Sequence, residues 1–277
     1  MKNDWMNLLM KKDDPIFEIL SSRKYRDISI PEETLRSLFE VELEKGRTRK
    51  EALKVVRQKL HNIIAPYLGD PDYDQAYRDL QEAVSQSSER FQQVCRAILA
   101  QHASTRERLP MLTEFYQRIF AFTGKPEIIL DLACGLNPIA FPWMGLPATV
   151  RYHAYDLHRP RIQMINRFFE LAGLAPLAEV RDILLSPPEI EAPVAFFFKE
   201  AHRFEQRLHN CNIEFWKALR VRYLLVSLPT TSLDGRRNLL ERQRNLVYGT
   251  IGEAPWKVTE MLFDTELVFC IDKSHGT

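Results

Sequence analysis

The sequence predicts an α/β fold: a doubly wound parallel sheet with an antiparallel hairpin at one edge, preceded by a helical N-terminal region. Three observations carry this. Beyond residue 126, short apolar runs recur as "EIILDL", "VRYHAYDL", "LAEVRDIL", "VAFFFK", "RYLLVSLP", "WKVTEMLF" and "ELVFCID". Helix-like stretches separate the first five, the alternation expected of parallel βαβ units with both sheet faces covered. Only Asp264-Thr265 joins the last two, a connection that fits a hairpin.

Before residue 126 the period is helical. Leu53, Val56, Leu60 and Ile63 keep the 3–4 spacing of one helix face, as do Phe91, Val94, Cys95, Ile98 and Leu99. Leu109, Leu112, Tyr116 and Ile119 form a third face. Ser104 to Glu107, "STRE", predicts a capping box at its start. Pro110 lies deep in that helix and predicts a kink or a shifted start.

The chain has 277 residues, 45% hydrophobic and 27% charged, which is enough for a substantial core. Its net charge is +1, so a nucleic-acid surface has to come from local patches. Cys95, Cys134, Cys211 and Cys270 are scattered, against a disulfide framework or zinc knuckle and in keeping with a reducing compartment. The start, "MKNDWMNLLMKKDDP", does not read as a signal peptide, and no run approaches the roughly 18 apolar residues of a membrane span. A cytoplasmic protein with no membrane partner is expected.

The stretch "ILDLACGLNP", Ile129 to Pro138, reads as a buried strand opening into a turn at a helix start. Asp131 and Gly135 end the strand, and Gly135 lets backbone approach a ligand closely. Asn137 can cap the next helix and Pro138 fits its first turn. The dinucleotide Gly-x-Gly-x-x-Gly and the Walker glycine-lysine pattern are both absent, so a pyrophosphate is not the expected guest. The second strand ends at Asp156, placed to accept a ribose diol, and the third at Asp182, placed to accept from an adenine amino group. Three strand-end acids describe a pocket for an adenosyl group without phosphates, and S-adenosylmethionine (SAM) is the common ligand of that kind. The plain alternative is that acids end strands as caps and turn formers.

Basic residues cluster in "KGRTRKEALKVVRQK", Lys45 to Lys59. Arg47, Lys50, Lys54 and Arg57 share one predicted helix face, which can track RNA phosphates or be an ordinary solvated face. Arg23 and Lys24 form a second candidate RNA patch, and Arg236 and Arg237 a third, after the fifth strand. His202, His209 and Cys211 fit no standard metal-ligand spacing, so no metal is expected. Trp143 is read either as a base-stacking residue or as a packing residue.

"SSRKYRDI", "RQKLHNIIAPY", "HASTRERL", "LDLACGLNP", "VRDIL", "FFFK" and "SLPTTSLDGR" occur in that order. Together they resemble the bacterial 16S ribosomal RNA guanine-N7 methyltransferases of aminoglycoside resistance, which modify the guanine at position 1405. The resemblance covers residues 18 to 272. It implies a Rossmann-like SAM-dependent methyltransferase domain over residues 104–277 and a helical RNA-binding domain over residues 1–103. It also implies 16S rRNA in the 30S subunit as partner, with SAM as cofactor. By motif position, Arg108 would meet the methionine carboxylate, and Ala133 and Gly135 would lie along the methionine. Asp156 would hold the ribose, with Leu157 beside it, and Asp182 and Ile183 would flank the adenine. Lys199 would stand where the target base approaches, as the catalytic-site residue, and His102 would line the pocket.

The sequence departs from the family in two places. "KEAHRFEQR" follows the fourth strand where the family has Leu and an apolar stretch, and where the family has a Gly-Met-Glu and then a Tyr, "RRNLLERQR" keeps Glu241 but has Leu239, Leu240 and Arg244 instead. Both lie toward the target-base side. The alternative reading is therefore a SAM-binding homologue that has lost or changed its target and acts as an RNA-binding module.

Overall fold

A computed structural model describes residues 14–20, 30–64, 70–232 and 237–274. By contacts the chain forms two compact units, Met1–Leu68 with Leu157–Arg159, and Gly69–Asp156 with Pro160–Thr277.

The smaller unit contains helices α1 (Pro15–Leu20), α2 (Glu32–Glu44) and α3 (Arg49–Ile64). Their apolar stripes close on Ile16, Ile19, Leu35, Leu38, Leu53, Val56 and Leu60. A capping box starts α3: Thr48 N–H donates to Glu51 Oε2 at 2.9 Å, and Glu51 N–H returns to Thr48 Oγ1 at 3.4 Å. The helix therefore begins at Arg49, and Arg47 precedes it rather than sharing its face, a correction to the sequence expectation.

The larger unit opens with α4 (Tyr73–Gln86) and α5 (Ser88–Leu99), capped by Asp72 and Ser87. Leu80, Ala83, Phe91, Cys95 and Leu99 join one buried cluster with sheet residues Ile129, Tyr152 and Phe196. The division by contacts consequently falls at 68/69, before helices that the expected domain boundary at 103/104 assigns to the N-terminal part. The expected capping box at Ser104 does not form. The short helix α6 (Ala103–Arg106) starts two residues earlier, with His102 in the cap position, so Ser104 lies inside its first turn and its hydroxyl meets His102 Nδ1 at 2.8 Å. Pro110 interrupts the helix as anticipated. A 3₁₀ turn, Leu109–Met111, holds it, and α7 (Leu112–Thr123) begins afterward.

All seven predicted strands are present: β1 (Ile128–Leu132), β2 (Arg151–Asp156), β3 (Ala178–Val180), β4 (Ala192–Phe198), β5 (Val221–Pro229), β6 (Lys257–Leu262) and β7 (Glu266–Asp272). They order as β3-β2-β1-β4-β5-β7-β6. The first five pair in parallel, and the β6–β7 hairpin adds antiparallel to β5, with Ser227 opposite Val268. Chain direction across the sheet reverses between β1 and β4, which is where ligands bind in open sheets of this kind.

Two crossovers differ from expectation. Between β1 and β2 the chain makes a 3₁₀ helix, Asn137–Trp143, in which Pro138 occupies the first turn and Pro142, inside it, has no N–H to give to an α-helical bond. Between β3 and β4 no helix forms, and that segment contains Pro187 and Pro188. Helix α8 (Arg159–Leu171) follows β2. Helices α9 (Ala201–Arg207) and α10 (Cys211–Ala218) follow β4, and α11 (Leu240–Ile251) follows β5. No helix among the described residues is long and apolar enough to cross a membrane.

Candidate cofactor site at the carboxyl edge of the sheet

The turn after β1 leaves the ordinary backbone region twice, at Ala133 (φ 53°) and Gly135 (φ 54°). Glycine takes that conformation without steric cost and alanine does not, so tertiary contacts hold Ala133 there. Gly135 N–H donates to Asp156 Oδ2 at 3.0 Å, which ties the turn to the end of β2. Arg161, in the first turn of α8, donates to the same oxygen at 2.9 Å. A Cβ on Gly135 would stand 3.7 Å from His102 Cε1 and 3.9 Å from Arg161 Nη1. The expected cofactor residues His102, Gly135 and Asp156 are thus brought together, with Arg161 among them. Burial, and then Arg161, push the His102 imidazole down to about 4, so the ring is neutral at pH 7.

Asp131 and Asn137 form a second group. Asp131 Oδ2 accepts from Asn137 Nδ2 at 2.9 Å and from the Tyr152 hydroxyl at 2.7 Å. Burial raises the Asp131 carboxyl to about 7 against those hydrogen bonds. Asn137 does not cap its helix, as its position in the sequence implied. Its Oδ1 instead accepts from Arg108 Nη1 and from the Tyr116 hydroxyl, each at 2.7 Å. Arg108 is 2% exposed and also donates Nε and Nη2 to Glu266, at 3.1 and 2.5 Å. The rings of Phe115 and Phe198 cover it at 4.2 and 4.6 Å. Three of its five N–H groups therefore donate to protein acceptors, leaving at most two for a methionine carboxylate. Burial alone would raise Glu266, but Arg108 and then Lys199 outweigh it and hold the carboxyl below its ordinary value.

Lys199, directly after β4, has a left-handed backbone (φ 61°). Its ammonium donates to Glu107 Oε2 at 2.6 Å and to the Ser104 carbonyl at 3.3 Å, with Glu266 Oε2 at 3.5 Å. The "HASTRERL" motif therefore wraps the lysine. Burial raises the neighbouring Glu200 carboxyl to about 7, opposed by Arg203.

Asp182 lies two residues beyond β3 rather than within it, since the strand ends at Val180. Its carboxylate receives both Arg207 Nη groups, at 2.9 and 2.5 Å, and the Leu184 N–H at 3.2 Å. Ile183 beside it is buried, and Leu157 is half-buried after Asp156.

The donor set fits an S-adenosyl group. Asp131 Oδ1 is a buried acceptor with no hydrogen-bond partner. Next to it the chain offers a strained turn and a second buried carboxylate at a parallel strand end, Asp156.

The RNA candidates divide differently. Lys50 and Lys54 are exposed on α3. Arg57 pairs with Glu18, while Arg47 and Lys59 reach the buried Glu42 at 2.5 and 2.9 Å. Arg237 is exposed after β5. Arg23, Lys24 and Arg236 lie outside the described residues. Trp143 is half-buried and packs against the sheet core. His209 pairs with Glu205, and the Cys211 thiol donates to the Phe204 carbonyl. Among the described residues no group of three or more His, Cys, Asp or Glu is placed to hold a metal.

Sequence reasoning missed Arg161, Arg207 and Glu266. Arg161 could have been flagged as a basic residue one helical turn beyond a strand-end acid. Glu266 was visible as a charge opening an otherwise apolar strand.

A model for the ribosomal RNA methyltransferases of the FmrO type matches residues 21–270. The chain belongs to the FmrO family of ribosomal RNA methyltransferases. A relative from Frankia casuarinae, a 16S rRNA (guanine(1405)-N(7))-methyltransferase, is 32% identical over 91% of this chain and 90% of its own. A relative of the same name from Micromonospora echinospora is 30% identical over 92% and 94%. The crystal structure of the 16S rRNA methyltransferase RmtF with S-adenosyl-L-homocysteine superposes with a TM-score of 0.75 at 29% identity, covering 94% of this chain and 97% of that one. The 16S rRNA methylase RmtB superposes at 0.73 and 25% identity, covering 95% and 98%.

Proposed function

We infer that this FmrO-family chain transfers a methyl group from SAM to N7 of a guanine in 16S rRNA, with the 30S subunit as substrate and the bacterial cytoplasm as its compartment. The observation that carries this is the family match across residues 21–270, laid over a sheet edge with buried acids at Asp131, Asp156 and Asp182. When bound, SAM supplies an electrophilic methyl on a sulfonium. Guanine N7 has a lone pair and no proton, so no general base is required. The chain's task is to position the base and exclude water, worth several kcal/mol.

In this reading Asp156 holds the ribose with Leu157 beside it, and Asp182 and Ile183 flank the adenine. Ala133 and Gly135 line the methionine chain, while Arg108 offers its remaining N–H groups to the methionine carboxylate. Lys199 faces the incoming base as a cation fixed by Glu107. Residues 1–103 serve RNA docking, with Lys50 and Lys54 among the exposed cations of α3, and residues 104–277 serve methyl transfer.

The test is transfer of labelled methyl from SAM to purified 30S subunits, with N7-methylguanine mapped in the 16S RNA. Transfer at one guanine is expected. No transfer to 30S, 50S or naked rRNA removes the enzyme reading. A second reading, a SAM-binding RNA module without turnover, draws support from the divergent segment 237–244. There Arg244 is engaged with Glu260 at 2.8 Å and Glu241 at 2.9 Å. SAM affinity and 30S binding without transfer would select it.

A further inference from the structure

Arg161 stands between two buried acids. Its Nη1 donates to Asp156 Oδ2 at 2.9 Å, while Nε and Nη2 donate to Asp70 Oδ2 at 3.0 and 2.5 Å. The three side chains are 2–4% exposed. The Tyr73 hydroxyl donates to the same oxygen of Asp70, and Asp70 Oδ1 is buried with no hydrogen-bond partner. The planar guanidinium is thus held on one edge by Asp70 while it presents Nη1 to Asp156. A guanidinium gripped this way is fixed in direction as well as in charge. That direction matters, because Nη1 also borders the Gly135 turn. Asp70 belongs to none of the strands that build the site. It lies just ahead of α4, and nothing in the site chemistry described so far uses it.

We propose that Asp70 is a positioning residue of the cofactor site: it aims Arg161 so that the guanidinium sets the Asp156 carboxylate toward the ribose diol of an S-adenosyl ligand. The inference rests on the assignment of Asp156 to the ribose. Asp70 touches no ligand itself and acts through Arg161. With the Asp70 charge removed, Arg161 keeps one carboxylate instead of two and loses the restraint on its plane. The Asp156 carboxylate then turns with it, and the diol loses the geometry that made it favourable.

The experiment reads ribose discrimination directly, without RNA and without turnover. Binding of 5′-methylthioadenosine and of its 2′,3′-dideoxy analogue is measured by calorimetry on the full-length wild type, Asp70→Asn and Asp70→Glu. The wild type is expected to prefer the diol by about tenfold, the scale of one charge-assisted hydrogen bond. In Asp70→Asn the preference should fall to about twofold, with an intermediate value in Asp70→Glu, where the charge stays but moves by one methylene. A general loss of stability would weaken both ligands alike and leave their ratio unchanged. An Asp70→Asn variant that keeps the wild-type ratio overturns the proposal. Should that variant not fold, Asp70→Glu decides: a reduced ratio supports the proposal and an unchanged one overturns it. A wild type indifferent to the diol would refute the Asp156 assignment and the proposal with it, whereas a normal wild-type ratio with an unmoved Asp70→Asn refutes the role of Asp70 alone.

Discussion

Asp131 shows how far burial can move one group. Its carboxyl is raised to about 7 because the strand end takes it out of water, although Asn137 and Tyr152 both donate to it. A carboxyl with a raised folded pKa binds more protons in the native state than in the unfolded chain. Its contribution to stability is therefore fully present below the unfolded value near 3.8 and is lost as pH rises through about 7. An amide in its place does not titrate. Asp131→Asn should accordingly gain on the wild type between pH 4 and pH 8, by on the order of 4 kcal/mol. Urea unfolding of both proteins at several pH values reads the difference, and a constant gap across that range would contradict it. His102 has the opposite sign. Its imidazole is lowered to about 4, so its contribution is lost as pH falls below the ordinary value of 6.5. The Asp131 effect must therefore be read as a difference between variants and not from the wild-type curve.

At the level of elements, the β6–β7 hairpin is tied down at two points of unlike strength. At the start of β7, Glu266 is wholly buried and holds Arg108, which is itself closed in by two phenyl rings. On the outer strand, Glu260 holds the half-exposed Arg244. Removing one partner of a buried pair leaves an uncompensated charge, whereas an exposed pair is replaced by water. Glu266→Ala is expected to cost about 3–5 kcal/mol in denaturant unfolding. Arg244→Ala should leave the midpoint close to that of the wild type. Comparable losses in the two variants would mean that the buried network does not anchor the hairpin. The elements were legible in the sequence in unequal measure. Apolar runs announced every strand, most continuously in β1, β2, β4, β5 and β7, which are buried along most of their length, and less so in the partly exposed rim strands β3 and β6. The crossovers were not legible in the same way, since Pro138 and Pro142 sit in a stretch whose apolar content still looks helical. The acids at the strand ends were visible, but their partners were not. Arg207 and Glu266 meet Asp182 and Arg108 through folding across the chain, and such pairings leave no periodic trace.

For the molecule as a whole, a net charge of +1 means that attraction to RNA depends on where the cations lie. Arg47 and Lys59 answer the buried Glu42 and Arg57 answers Glu18, while Lys50 and Lys54, with Arg49 at the helix start, are exposed on α3. Lys50→Glu with Lys54→Glu should weaken binding to 30S subunits and lower the slope of log affinity against log salt by about 2. Affinity for S-adenosylhomocysteine should stay as in the wild type. An unchanged salt slope would place the RNA surface elsewhere.

The two borders of the sheet close the molecule to one kind of association. On one side β3 is only three residues long, and on the other β6 carries Lys257 and Glu260 along its length. Short or charged rims are poor templates for an added strand. Neither rim invites an incoming backbone, so recognition of a large nucleic acid is left to side chains and helix surfaces, and the protein is guarded against edge-to-edge aggregation.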